Sequence, residues 1–332
     1  MTARTEWSVS APRTLEIEEE ITTLEVRLVG GTVNVVGTAD PGRARVEIGE
    51  LTGAPLTVRH EAGRLTVAYD DPPSRGLRAL LEHRHRSAVV SVTVPGPTRV
   101  TIGTVSASAV LSGISGRTEL RGVSGDSTLV RLTGPVRAET VSGRVEGQAV
   151  TGDLRFHSVS GDLTLIEGSG GTVKADSVSG DMVLDLDPAA TGTDLSLTTV
   201  SGEVAIRLPA PGDTEVDANT TSGTVTNAFE DLRVSGRWGA KRVTGRLGSG
   251  SGRLRATTLS GGLALLRRPP SEDRPAASAG GPATAASGPA PQGEETTGPH
   301  AEAEAPAPGE PGTPPRPARH PQDDSPADEK VL

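Results

Sequence analysis

Apolar and polar residues alternate over much of the first 268 positions. Leu15-Glu16-Ile17, Leu24-Glu25-Val26-Arg27-Leu28, Val33-Asn34-Val35, Val46-Glu47-Ile48 and Leu65-Thr66-Val67 each keep a period of two, with glycine or proline turns between them. That period predicts strands with one face turned inward. Residues 70–88 break it. Pro72 and Pro73 follow two aspartates, and Leu77, Leu80 and Leu81 then fall at helical spacing. A loop or short helix outside the strands, placed to cover an exposed edge, is predicted there.

A repeat organises the middle of the chain. Val-Ser-Gly recurs at 123–125, 141–143, 159–161, 178–180 and 200–202, with a weaker Thr221-Ser222-Gly223. Looser glycine turns lie midway, at Ser115-Gly116, Thr133-Gly134, Thr151-Gly152 and Ser169-Gly170, and the spacing continues less regularly through Ser235-Gly236, Thr244-Gly245 and Ser260-Gly261. Each unit is therefore two strand arms of about nine residues. Units that stack predict an all-β, single-chain β-solenoid with coils of about 18–22 residues and equivalent positions aligned in ladders. An inward face of small residues (Ala138, Ala175, Thr140, Ser158) agrees with two closely packed sheets.

The corner sets the expected register. Each Val follows an inward Thr or Ser, so a corner beginning at that point would turn Val123, Val141, Val159, Val178 and Val200 into one interior ladder. Glycine is expected at the corners for positive φ. Ser124, Ser142, Ser160, Ser179 and Ser201 are expected to form a hydroxyl ladder capping turn amides. An 18-residue step stacks Asp126, Arg144, Asp162 and Asp181 in one exposed ion ladder, whereas a 27-residue coil would place Asp126 against Asp153 without compensation.

The iterated Val-Ser-Gly, with Thr or Ser before it and often Asp after it, resembles the bacterial putative-adhesin family of β-strand-repeat proteins, a domain of unknown function. The resemblance spans about residues 20–265. It implies a single-chain β-helix and an adhesin-like role, and it brings no catalytic residues.

Composition narrows the alternatives. The 332 residues include five aromatics, 42 Gly, 26 Pro and no Cys, which excludes disulfides and thiolate chemistry and leaves no stacking platform for sugars or single-stranded nucleic acid. Of the net charge of −9, residues 269–332 hold −7, and they carry 15 prolines and no aromatic residue. A disordered acidic tail follows from that composition, dispensable for the fold of residues 1–268. The near-neutral remainder implies no nucleic-acid surface. No secretory signal and no long apolar run is read in the sequence, so the expected location is cytoplasmic.

Candidate chemistry is sparse. The charged residues after the repeat glycines read as turn residues, because an arginine separates the first two acids of their ladder. Repeated Ser-Gly has no base at fixed spacing, and Gly248-Ser-Gly-Ser-Gly252 lacks the lysine of a phosphate loop. Arg75, Arg78, Arg84 and Arg86, with His83 and His85, form the densest basic cluster and a possible contact patch. The expected function is a non-catalytic structural or binding module without cofactor or metal, whose partner is a protein or a second copy. A bactofilin-like self-assembling scaffold is the alternative, and a β-helix carbohydrate-active enzyme has the least support.

Overall fold

The computed structural model describes residues 4–69, 86–188, 190 and 192–268. The chain divides into the units Met1–Arg274 and Pro275–Leu332, and every described residue belongs to the first. The tail, most of the 70–88 insertion, and Arg75, Arg78 and Arg84 lie outside the described residues. Ser87 and Ala88, which the sequence reading gave to the insertion, open the strand Ser87–Pro95 because they pair with Gly30 and Gly31 on one side and with Thr52 and Leu51 on the other.

Among the described residues regular structure is entirely strand, arranged as a 14-stranded and a 12-stranded sheet. The coil follows the predicted two-arm unit. Val136–Thr140 pairs in parallel with Leu154–Ser158, setting Val136 on Leu154, and Val145–Gln148 pairs with Leu163–Gly168, setting Val145 on Leu163. Both steps are 18 residues. Longer coils occur where Leu163 meets Met182 and Met182 meets Val204.

Alternation along each strand sends one set of side chains between the sheets. Phe156 shows how the thin core is filled: it is fully buried, and its neighbours above and below are Ala138 and Ala175. Two alanines leave the room that one ring takes, so a ladder of larger residues at all three positions would overpack the layer.

Both ends depart from simple stacking. At the N-terminal end Arg4–Val9 pairs antiparallel with Leu56–Glu61, and Arg13–Ile17 pairs antiparallel with Ala44–Thr52. Toward the other end, the coil of Gly252–Thr258 and Leu263–Arg267 inserts between the coil of Asp194–Thr199 and Val204–Leu208 and the coil of Thr214–Thr220 and Val225–Asn227. The chain thus passes one coil position, turns back through the antiparallel strands Leu232–Arg237 and Ala240–Leu247, and fills the gap. Ser235-Gly236 and Thr244-Gly245, read as further repeat turns, belong to that antiparallel excursion. Ser260-Gly261 is a true corner.

Candidate functional site

The Thr/Ser-Val-Ser-Gly corner assigns a separate task to each residue. Its first hydroxyl faces inward and caps the glycine amide: the Gly143 N–H donates to Thr140 Oγ1 at 3.0 Å, Gly180 to Ser177 Oγ at 3.0 Å and Gly202 to Thr199 Oγ1 at 3.1 Å. The following Ser has another role. Ser124, Ser142, Ser160, Ser179 and Ser201 donate their hydroxyls to the valine carbonyl of the preceding coil, at 3.1, 3.2, 3.2, 3.3 and 3.4 Å. The expected serine ladder exists, but it ties coil to coil, and amide capping falls to the residue two places earlier.

The corner glycines also serve a different need from the one expected. None of Gly125, Gly143, Gly161, Gly180 and Gly202 is among the positive-φ residues. They are required because a Cβ at each would fall on a backbone carbonyl of the neighbouring coil, as Gly161 would on Gly143 and Gly180 on Gly161. Close approach of backbones, repeated at every coil, selects glycine there. Positive φ appears at the opposite corner, at Gly113, Arg131, Ala149 and Glu167.

The valines correct the expected register. Val123, Val141, Val159, Val178 and Val200 form a ladder, as predicted, but it faces solvent. Parity is never broken: Thr140 is buried, so Val141 beside it points out. The ladder is extended by Val105 and by Leu259, and these seven side chains are 43–52% exposed. Their order is fixed by backbone bonds in which Ser124 donates to Val105, Ser142 to Val123, Ser160 to Val141, Ser179 to Val159, Ser201 to Val178 and Ser260 to Val200. At about 4.8 Å per coil the ridge runs for about 29 Å. Among the described residues it holds seven of the thirteen exposed large apolar side chains.

The charged ladder beside it stacks in the expected row, 18 residues apart at first and then 19 and 22 as the coils lengthen. The Arg144 N–H donates to Asp126 Oδ1 at 3.0 Å, Asp181 N–H to Asp162 Oδ1 at 3.0 Å and Glu203 N–H to Asp181 Oδ1 at 2.8 Å, while Arg144 Nη2 lies 3.7 Å from Asp162 Oδ2. Asp153 is apart from this row and accepts from the Thr172 N–H at 3.0 Å. These carboxylates fasten the corner of one coil to the next, and among the described residues no His, Cys, Asp or Glu group is arranged to hold a metal ion.

Arg86 is the described member of the basic cluster. It is 8% exposed, with its guanidinium 5.5 Å above the Tyr69 ring, so it forms part of an inner wall and not an open surface patch. The Gly248–Gly252 loop wraps Asp213, which accepts from Ser249 Oγ at 2.7 Å and Ser251 Oγ at 2.8 Å. Those hydroxyls hold the Asp213 carboxyl down at about 2. No helix among the described residues is long and apolar enough to cross a membrane.

Comparison with known proteins follows the repeat. A putative adhesin from Parabacteroides distasonis ATCC 8503 is 12% identical, with 80% of this chain and 97% of that one covered at a TM-score of 0.41. A putative adhesin from Bacteroides fragilis NCTC 9343 is 13% identical over 77% and 97%, at 0.40. A second Parabacteroides distasonis ATCC 8503 structure, described as a putative lipid binding protein, is 14% identical over 78% and 98%, at 0.40. No curated protein sequence matches the chain. The family model for Toastrack DUF4097 matches residues 116–265, the stretch that holds the Val-Ser-Gly coils, so over those coils the chain is similar to that family.

Proposed function

We propose that this protein is a non-catalytic binding module whose contact element is the ridge from Val105 to Leu259. One observation carries the reading: evolution of the corner toward stability alone would favour polar residues at a half-exposed position, yet seven successive coils place an aliphatic side chain there. A contiguous apolar line of this kind marks an interaction surface. Its partner presents an elongated aliphatic surface, because the ridge is straight in register and one residue wide. Support for catalysis is lacking in the corner itself, where the serine hydroxyls are spent on backbone carbonyls.

The ends give end-to-end self-assembly less support than lateral binding. The larger sheet ends on Arg4–Val9 and Leu232–Arg237, both antiparallel to their neighbours, and the smaller ends on Arg13–Ile17 and the three-residue strand Val225–Asn227. Three of these edges carry charged side chains and the fourth is only three residues long, features that discourage further pairing.

The test is a triple variant, Val123→Lys, Val141→Lys and Val159→Lys, titrated with the neutral dye Nile red. Saturable, blue-shifted fluorescence with the native chain, lost in a variant of unchanged circular dichroism, is the expected result. Equal dye binding by both proteins, or none by the native chain, would overturn the reading.

A further inference from the structure

We propose that the turn Trp238-Gly239, at the tip of the hairpin formed by Leu232–Arg237 and Ala240–Leu247, anchors the protein to an anionic lipid surface. The hairpin has no counterpart in the smaller sheet. That sheet ends at Val225–Asn227, in the coil of Thr214–Thr220, and only the larger sheet continues into the two hairpin strands. Val234, on the outer of the two, is half exposed.

Trp238 occupies the tip against local preference. Arg237 pairs with Ala240, which leaves a two-residue loop, and Trp238 and Gly239 have φ of 57° and 91°. Loops with two positive φ values ordinarily take Asn, Asp or Gly at the first place, and a bulky side chain there is an outlier. Trp238 is also 93% exposed, so packing among the described residues does not hold it there. The chain has only two tryptophans. A scarce ring kept in an unfavourable turn, almost wholly in water, points to a contact outside the molecule.

Charge selects the kind of surface. Arg237 is exposed on the outer side of the hairpin, and Lys241, which pairs with buried Thr220, stands on the inner side. Neither forms an ion pair among the described residues. Arg242, one row further back, binds Asp217 through two bonds of 2.8 and 2.7 Å and neutralises that carboxylate. The ring thus has a cation on each side of a convex turn. A protein socket would need a shape matched to that turn, whereas a plane of phosphates over hydrocarbon receives the ring at headgroup level and both cations at once.

The neighbouring ladders set the orientation. Thr221 follows Leu259 in the ridge, since the Ser222 N–H donates to the Leu259 carbonyl, and a Cβ at Gly239 would lie 3.9 Å from the Thr221 carbonyl oxygen. The tip therefore stands just past the end of the ridge. Asp162, Asp181 and Glu203, beside the ridge, repel an anionic surface and confine the contact to the hairpin end. The anchor is independent of the reading of the ridge.

Sedimentation of the full chain with vesicles tests the anchor, and the acidic tail is common to every variant compared. Binding to equimolar phosphatidylcholine and phosphatidylglycerol should be at least about tenfold tighter than to phosphatidylcholine alone and should weaken with salt. Trp238→Asn should keep or raise the melting temperature, because Asn suits the turn, yet lower vesicle affinity by at least about tenfold. Arg237→Gln and Lys241→Gln should each lower it about fivefold. In a Trp7→Phe background Trp238 is the sole tryptophan, and its emission should shift blue on the mixed vesicles and be quenched by brominated acyl chains. Undiminished binding by Trp238→Asn, unquenched emission, or no vesicle binding would overturn the proposal. Binding of polyglutamate that depends on Trp238, without vesicle binding, would overturn it in favour of an acidic protein segment.

Discussion

Gly161→Ala is expected to be among the most damaging single-methyl changes in the repeat. A Cβ at Gly161 would overlap the Gly143 carbonyl oxygen and would also stand 2.8 Å from Thr140 Cγ2 and 2.9 Å from Ser158 Oγ. Ordinary contact begins near 3.4 Å, and the nearest atom is backbone, which no rotamer change can remove. One coil must therefore separate from the next by about 1 Å at this corner. The bonds that span the gap are Ser160 N–H to the Val141 carbonyl at 2.7 Å and Ser160 Oγ to the same oxygen at 3.2 Å, with the Gly161 N–H to Ser158 Oγ bond at 2.6 Å beside them. Losing two of the three at about 1 kcal/mol each, with about 1–3 kcal/mol for overpacking, predicts a loss of about 3–5 kcal/mol. Urea unfolding followed by circular dichroism measures it. A loss below about 1 kcal/mol would show that the corner has slack and that close approach is not what selects glycine.

The outward valine makes an opposite forecast. Val159→Asp should cost under about 1 kcal/mol because its side chain is half in water, while Leu163→Asp, four residues on and fully buried, should cost several kcal/mol; comparable midpoint shifts in urea would refute the register. Asp213 predicts a local pH dependence. Its carboxyl titrates at about 2 in the folded chain against an ordinary 3.8, so its contribution is complete above about pH 4 and is lost as pH falls through about 2. Amide exchange at Gly250 and Ser251 should accelerate over that window in the native protein and stay pH-flat, after correction for intrinsic rates, in Asp213→Ala.

Much of the coil was legible because repetition and period two are both sequence properties. The pairing of Val136 with Leu154 and the stacking of Asp126, Arg144 and Asp162 follow from the 18-residue step alone, and Asp181 joins the row because the Val-Ser-Gly spacing itself lengthens to 19 there. The valine ladder was misplaced by assuming that an aliphatic residue must be inside, when strict alternation from Thr140 already pointed Val141 outward. Alternation cannot tell parallel from antiparallel pairing, so the antiparallel N-terminal strands were not readable. Nor was the insertion of the Gly252–Thr258 coil, since similar coils offer one another similar surfaces.

The central claim is that the valines form one outward ladder with a single coil per rung. The chain has no cysteine, so nitroxide labels at Val105→Cys and Val200→Cys can be introduced without further changes. These positions are five rungs apart in the ladder, and double electron–electron resonance should give a distance near 24 Å, at about 4.8 Å per rung, with mobile spectra from each single label. Immobilised spectra at both sites, or a distance well beyond 35 Å, would contradict the account.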